Sequence, residues 1–133
     1  NFSNPRIDMM KVAFAGPASN LILAFVAGTI LRLAGHTGLL HNHFLIILLQ
    51  YITWINIALA VFNLLPISPL DGSQIFGNMI SKNNPDLAWK LQIYGPKVLM
   101  VLLLISFIEP RLSIFRYIMH PIINVFMYLF AGL

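Results

Sequence analysis

A ten-residue stretch near the middle of the chain reads Asn63-Leu64-Leu65-Pro66-Ile67-Ser68-Pro69-Leu70-Asp71-Gly72. It ends a long apolar run, and no acidic residue lies between Asp8 and Asp71. An ionised carboxylate within hydrocarbon costs about 2.5–3.5 kcal/mol on insertion scales, and acids retained in membrane segments usually mark functional sites with a partner. Asp71 is therefore expected to mark a functional site and to have a partner there.

The composition places the chain among membrane proteins. Of its 133 residues, 59% are hydrophobic and only 9% are charged, and the mean hydropathy is +0.83. A soluble domain carries about 25% charged residues. The net charge of +4 is scattered along the chain, so nothing predicts nucleic-acid binding. The absence of cysteine excludes disulfides and thiol chemistry within these residues.

Four stretches are candidates for membrane-spanning helices. Residues 12–33, 44–65 and 87–108 are each long enough, because about 20 apolar residues at 1.5 Å per residue cross a bilayer core. The fourth, 114–133, is interrupted by Arg116 and by His120-Pro121, and it could either span the bilayer or lie at its interface. The sequence therefore predicts an all-α fold, a polytopic helical membrane protein with three to four transmembrane helices.

An irregular, proline-rich segment is predicted after the second helix. Pro66 and Pro69 each remove a backbone donor and disfavour helical backbone at the preceding residue. A short helix is predicted over 72–81, with Asp71 placed to cap it. Irregular backbone at membrane depth persists only where it is buried in protein or lines a cavity. The segment that ends in Asp71-Gly72 is therefore expected to line a polar cavity.

The other polar residues of the first two helices have structural interpretations. Asn56 and Asn63 are seven residues apart and share a helix face, which is expected to point into the bundle. Asn20 and Asn56 are predicted to form hydrogen bonds between helices. Arg32, at the far end of the first apolar stretch, is expected to reach the lipid headgroups.

Asp71 has two interpretations when the residues are considered alone. An Asp before Gly, after a proline-rich turn, is a common helix cap or turn element. Alternatively, the carboxylate is a metal ligand, because carboxylate oxygen is an ordinary zinc ligand and catalytic zinc commonly takes three protein ligands and a water.

The pattern Asn63-x-x-Pro66-x-x-x-Leu70-Asp71-Gly72 resembles the second metal-site motif of the site-2 protease family of intramembrane zinc metallopeptidases. The resemblance implies that Asp71 is a zinc ligand. It also implies that Asn63 belongs to the catalytic site, where it would help to hold substrate or the developing oxyanion.

A second segment strengthens this resemblance. Ala15-Gly16-Pro17-Ala18-Ser19-Asn20 is similar to the Ala-Gly-Pro-x-x-Asn segment that follows the first metal motif of these proteases. Its order and spacing relative to Asp71 are also those of the family, in the compact subgroup without inserted peptide-binding domains. Residues expected to support the motifs are Gly16, Pro17, Asn20, Pro66 and Gly72.

The chain departs from the family pattern at one place. The two remaining zinc ligands and the general-base Glu of the family lie in H-E-x-x-H, and no His of this sequence is followed by Glu. In the family that helix precedes the Gly-Pro-x-x-Asn segment. The expectation is therefore that residues 1–133 form a single, partial membrane-embedded domain, the carboxyl-terminal part of the protease core. Such a piece would supply one ligand of three and cleave nothing unaided.

The resemblance implies an intramembrane zinc metalloendopeptidase that hydrolyses transmembrane or membrane-adjacent peptide bonds. Its cofactor would be Zn²⁺, and its partners would be the lipid bilayer and a transmembrane protein substrate, in a bacterial-type plasma membrane. Two alternatives remain open at this stage, a non-catalytic membrane relative and a transporter fragment with a broken-helix polar site. His36, His41 and His43 are interpreted as solvated residues of a connecting turn rather than as a metal cluster.

Overall fold

The computed structural model describes residues 5–38, 41–67 and 69–133, and the described residues form helices and turns with no strand. Four of the five α-helices are long and apolar enough to cross a membrane. Their spanning segments contain 31, 21, 24 and 18 residues. The predicted all-α, polytopic architecture is thus confirmed, at the upper end of the expected three to four spans. In chain order the helices are α1 (Pro5–Thr37), α2 (His43–Asn63), α3 (Asp71–Asn83), α4 (Pro85–Ile108) and α5 (Ile114–Ala131).

Helices α1, α2 and α5 pack together around a small apolar core. This core consists of Ala24 of α1, Ile57 and Val61 of α2, and Ile123 of α5. Ala24 and Ile57 are both 0% exposed. Helix α5 is therefore a member of the bundle, and it runs through Pro121 without the interruption that the sequence predicted at His120-Pro121. A proline ring can be accommodated in a membrane helix when packing and local adjustment satisfy the freed backbone groups.

Small residues bring α1 close to α5. A Cβ on Gly28 would lie 2.8 Å from the carbonyl carbon and oxygen of Phe130, so only glycine permits this approach. One turn earlier, the rings of Phe25 and Phe130 meet edge to face, with centroids 5.5 Å apart. Close contact at small residues is the usual source of helix association in lipid, where apolar side chains gain little by leaving the hydrocarbon.

Arg32 joins the carboxyl-terminal ends of α1 and α5. One guanidinium nitrogen donates to the carbonyl oxygens of Tyr128 and Leu129, at 2.8 and 2.9 Å. These carbonyls belong to the last turn of α5, where the Gly132 amide also bonds the Tyr128 carbonyl at 3.0 Å. The positive charge of Arg32 lies at the negative end of the helix dipole, which is a favourable position for a cation. Arg32 is exposed at this end of the bundle, and its approach to the lipid headgroups stays a prediction.

Helix α3 is short and lies between α1 and α4. Asn84 separates α3 from α4 and caps α4, because its side-chain oxygen accepts a hydrogen bond from the Leu87 amide at 3.1 Å. Helix α4 packs against α3 and, at its far end, against the short 3₁₀ turn Pro110–Leu112 that leads to α5. Only Gly95 and Leu99 of α4 are buried. The chain thus forms a three-helix core with α3 and α4 on one side.

Candidate active site

The break between α2 and α3 is a compact turn. Helix α2 ends at Asn63, and the Leu64 amide still bonds the Ala60 carbonyl at 3.1 Å. The Ile67 amide then bonds Leu65 at 2.8 Å, and the Leu70 amide bonds Ile67 at 2.9 Å. Pro66, which has no amide hydrogen, is exposed at the turn. Ser68 lies outside the described residues, so its predicted place in the cavity wall stays a prediction. The turn delivers Asp71 as the first residue of α3.

Gly72 fixes the direction in which α3 leaves this turn. The residue is buried, and a Cβ there would overlap the backbone carbonyls of Leu64 and Leu65. The glycine is therefore required by close approach: the first turn of α3 rests on the last residues of α2. Any larger residue would push α3 away and carry the neighbouring carboxylate with it.

The carboxylate of Asp71 lies against the backbone of α1 at Gly16. Its Oδ2 atom is 2.9 Å from the point where a Cβ on Gly16 would stand. Pro17, the next residue, is fully buried. The structure thus brings together the two segments that the sequence singled out, Gly16-Pro17 in the first part of α1 and Asp71-Gly72 at the start of α3.

Asp71 is half-buried and has no partner in the described part of the chain. Its carboxylate accepts no hydrogen bond there and forms no ion pair with a described residue. The residue at the N-cap position of α3 is Leu70, and no side chain caps the helix. The prediction that Asp71 caps this helix is therefore wrong. What remains is a carboxylate held in the protein with its oxygens available.

Two asparagine side chains in the segments that meet here also have no partner among the described residues. Asn63, at the end of α2, is half-buried and bonds no residue that the structure describes. Asn20 follows Gly16 by one turn on the same face of α1, and the same holds for its side chain. Asn56 differs, because its amide donates to the Ile52 carbonyl of its own helix at 2.8 Å. The predicted interhelical role of Asn56 is wrong, and none is seen for Asn20 among the described residues.

No group of three His, Cys, Asp or Glu residues that could hold a metal occurs in the described ranges. Two of the histidines, His36 and His43, lie toward the other end of the bundle from Asp71. His36 is 20 residues beyond Gly16 on the same helix, which corresponds to about 30 Å at 1.5 Å per residue. His43 begins α2, whose opposite end carries Asn63. Among the described residues, Asp71 is therefore a candidate ligand that belongs to no group of three such side chains.

A groove between α3 and α4 was missed by the sequence interpretation. It has a volume of about 390 Å³ and adjoins the turn at Pro66. Amide side chains from both helices line it, and so do two aromatic rings. The signal was present in the sequence, since the polar residues of α3 recur at intervals of three and four. The side chains that characterise the groove are Gln74, Phe76, Asn78, Trp89 and Gln92.

Comparison with known proteins identifies relatives of this chain. The family model described as "Peptidase family M50" matches residues 28–106, which include the stretch from Asn63 to Gly72. A Bacillus subtilis (strain 168) protein named "Putative zinc metalloprotease YwhC" is 34% identical over 133 residues, covering 92% of this chain and 55% of that protein. The chain thus spans about half the length of the curated relative that it matches. No solved structure matches it significantly.

Proposed function

This chain belongs to peptidase family M50, the site-2 proteases, and we propose that it forms part of a zinc endopeptidase that cuts substrate proteins within or beside the membrane. It is an integral, multi-pass membrane protein with four helices of spanning length. The observation that carries the proposal is the placement of Asp71: a half-buried carboxylate against Gly16, beside a helix break, with no partner among the described residues.

The residues present fit a zinc site to which this chain contributes one ligand. An ionised carboxylate in a membrane-embedded bundle is costly unless a cation or hydrogen-bond donors compensate it. Asp71 lacks both in the described part of the chain, and its oxygens are of the type that zinc accepts. Two His from an H-E-x-x-H helix outside these 133 residues would complete the ligand set. Zinc bound there would supply a Lewis acid that activates water and the scissile carbonyl.

The residues of this chain would perform two tasks in the reaction. Asp71 would hold the metal on the α3 side of the site, with Gly16 and Gly72 allowing the close approaches that position the carboxylate. Asn63 would donate a hydrogen bond from its free amide to the carbonyl oxygen of the substrate as negative charge develops on it. The Glu of H-E-x-x-H would take the proton of the attacking water and pass it to the leaving amine.

The substrate would be a membrane polypeptide that unwinds locally. Within a helix the peptide carbonyls are engaged in hydrogen bonds and the backbone is shielded by side chains. Outside a helix, backbone groups in a membrane require other partners. The amides of Asn20 and Asn63, together with the backbone at the end of α2, would offer hydrogen-bonding groups to such a segment.

The test is to purify the full natural protein, reconstitute it in vesicles with a membrane-spanning reporter, and follow both zinc content and cleavage. The proposal predicts about one zinc per protein molecule, cleavage within or next to the reporter's apolar segment, and loss of both on treatment with a zinc chelator, with recovery on adding zinc. Cleavage that persists after the zinc has been removed and verified absent would contradict the proposal. A zinc-free, inactive native protein would instead favour the non-catalytic alternative.

A further inference from the structure

The polar residues of α3 form a continuous stripe that leads away from Asp71. Gln74, Asn78 and Ser81 follow Asp71 at intervals of three, four and three residues, which places them on one side of the helix. All three line the groove between α3 and α4. The stripe ends near the polar loop around Asn84, where α4 begins. The α3 residues that line the groove run from Ser73 to Ser81, so the groove begins two residues after Asp71 and follows most of α3.

Two amides of this groove are available for an occupant. The side chains of Gln74 and Gln92, on opposite walls, bond no residue that the structure describes. Asn78 uses its amide nitrogen to bond the Gln74 carbonyl at 2.6 Å, which leaves its side-chain oxygen free as an acceptor. Each primary amide presents both donors and an acceptor, so this lining matches a ligand that also presents both.

The groove is open at its floor and bordered by aromatic rings. In the part of the chain that the structure describes, apart from the two adjacent residues and the nearby backbone of α3 itself, no atom lies within 4 Å of a Cβ position on Gly77. Phe76 and Trp89 are 42% and 62% exposed. The volume of about 390 Å³ falls in the range of ligand-binding clefts, about 300–1,000 Å³. A lipid chain would use the rings but leave the amides unpaired, whereas a peptide offers backbone groups to the amides and side chains to the rings.

We infer that the groove between α3 and α4 binds an unwound, extended segment of the substrate polypeptide next to the cut. Gln74 and Gln92 pair with its backbone, and Phe76 and Trp89 contact one of its side chains. This inference rests on the proposed protease function and names the surface that positions the substrate for it. The hydrogen bonds that the segment gives up on leaving its helix are replaced in the groove, which lowers the cost of exposing the scissile bond.

The first test fills the groove without disturbing the fold. Gly77→Leu places a side chain in open space, and Gly35→Leu is its matched control, because Gly35 is also helical and also has nothing within 4 Å of the Cβ position. Gly35 lies at the opposite end of the bundle, beside Arg32 and His36. In the full natural protein, Gly77→Leu should lower kcat/KM for a membrane-spanning substrate roughly tenfold to a hundredfold with unchanged zinc content. Gly35→Leu should leave both unchanged. Equal kcat/KM for the two variants would overturn the inference.

The second test detects substrate binding in the groove independently of cleavage. These 133 residues contain no cysteine, so Gln92→Cys introduces a defined thiol. With substrates that carry single cysteines along their apolar segment, oxidation should cross-link Gln92→Cys to a short, contiguous run of positions beside the cut. The control Gln50→Cys, at the far end of the bundle, should cross-link to none of these.

The outcomes separate the groove from the protease proposal. Failure to cross-link to any substrate position would overturn the inference even if cleavage is normal. Cross-linking by a native-like protein that cleaves nothing would uphold the groove as a polypeptide site and reject the protease function. The two proposals therefore fail through different measurements.

Discussion

The Oδ2 atom of Asp71 lies 2.9 Å from the position that a Cβ on Gly16 would occupy. Two segments that are distant in sequence therefore meet at a contact where any Cβ on residue 16 would require the carboxylate to move. Because α1 supplies the backbone and α3 the carboxylate, the position of Asp71 depends on how these two helices pack. This dependence makes the site sensitive to changes as small as one methyl group.

The Gly16 contact can be tested by adding that methyl group. Gly16→Ala should displace the Asp71 carboxylate and lower proteolysis of a membrane reporter about tenfold or more, since small misplacements of a catalytic group have large effects on rate. Gly35→Ala is the control in the same helix, because its Cβ would meet nothing within 4 Å. Cleavage rates per folded molecule, measured side by side, should differ sharply. Equal rates would show that the contact does not position Asp71.

A second prediction concerns the stability of the turn before α3. Gly72→Ala should destabilise the protein by about 1–3 kcal/mol, because the new Cβ would overlap the Leu64 and Leu65 carbonyls and α3 would have to shift. Gly77→Ala should instead stabilise it by about 0.5–1 kcal/mol, because it adds helix propensity in open space. Thermal unfolding in detergent micelles would reveal the opposite signs. A Gly72→Ala protein as stable as native would refute the close approach.

The side-chain amide of Asn63 is predicted to affect the rate of cleavage rather than the binding of zinc. Asn63→Ala should reduce kcat about 10²–10³-fold, the usual cost of losing one oxyanion donor, while the zinc content stays at the native value. Asn56→Ala is the matched control, because that amide bonds the Ile52 carbonyl of its own helix. Single-turnover cleavage measures the rate, and elemental analysis of the same samples measures the zinc content. Loss of zinc with a native rate per zinc-loaded molecule would remove Asn63 from this role.

Arg32 is predicted to stabilise the bundle without affecting catalysis. Arg32→Ala removes the donor to the Tyr128 and Leu129 carbonyls and should lower the free energy of unfolding by about 1–3 kcal/mol. Arg116 is an exposed arginine on α5, so Arg116→Ala should change the free energy of unfolding little. Unfolding in mixed micelles tests the difference. Similar stability of both variants would mean that the Arg32 hydrogen bonds contribute nothing measurable to the free energy of unfolding.

The sequence predicted the helices better than the contacts between them, and the roles of the site residues stay predictions. Apolar length is a local property, so three of the four spans could be predicted directly from the sequence. Asp71 was singled out because an acid is conspicuous where hydrocarbon is expected, whereas the role of Asn63 was implied by the resemblance of the motif. Arg32 bonds carbonyl groups of α5 because the ends of α1 and α5 are neighbours. The spacing of residues within one helix does not reveal which helices will be neighbours.

Asn56 and Asp71 show the same limit. A lone amide can bond either its own helix or a neighbour, and the i−4 carbonyl is the nearer acceptor for Asn56. The carboxylate was expected to cap α3, but Leu70 takes the cap position and Asp71 turns toward Gly16 instead. The groove between α3 and α4 was missed because it requires two helices at once. Only one of its walls shows a polar stripe in the sequence.

The most direct test of Asp71 as a zinc ligand compares the zinc content of the Asp71→Asn and Asp86→Asn proteins. Both changes remove one carboxylate charge and keep its shape, and Asp86 is exposed in the first turn of α4. In the full natural protein, purified without added metal, Asp71→Asn should lose most of its zinc and its proteolysis, while Asp86→Asn keeps the native amounts. A stoichiometric, native-affinity zinc ion in Asp71→Asn would show that this carboxylate is not a ligand.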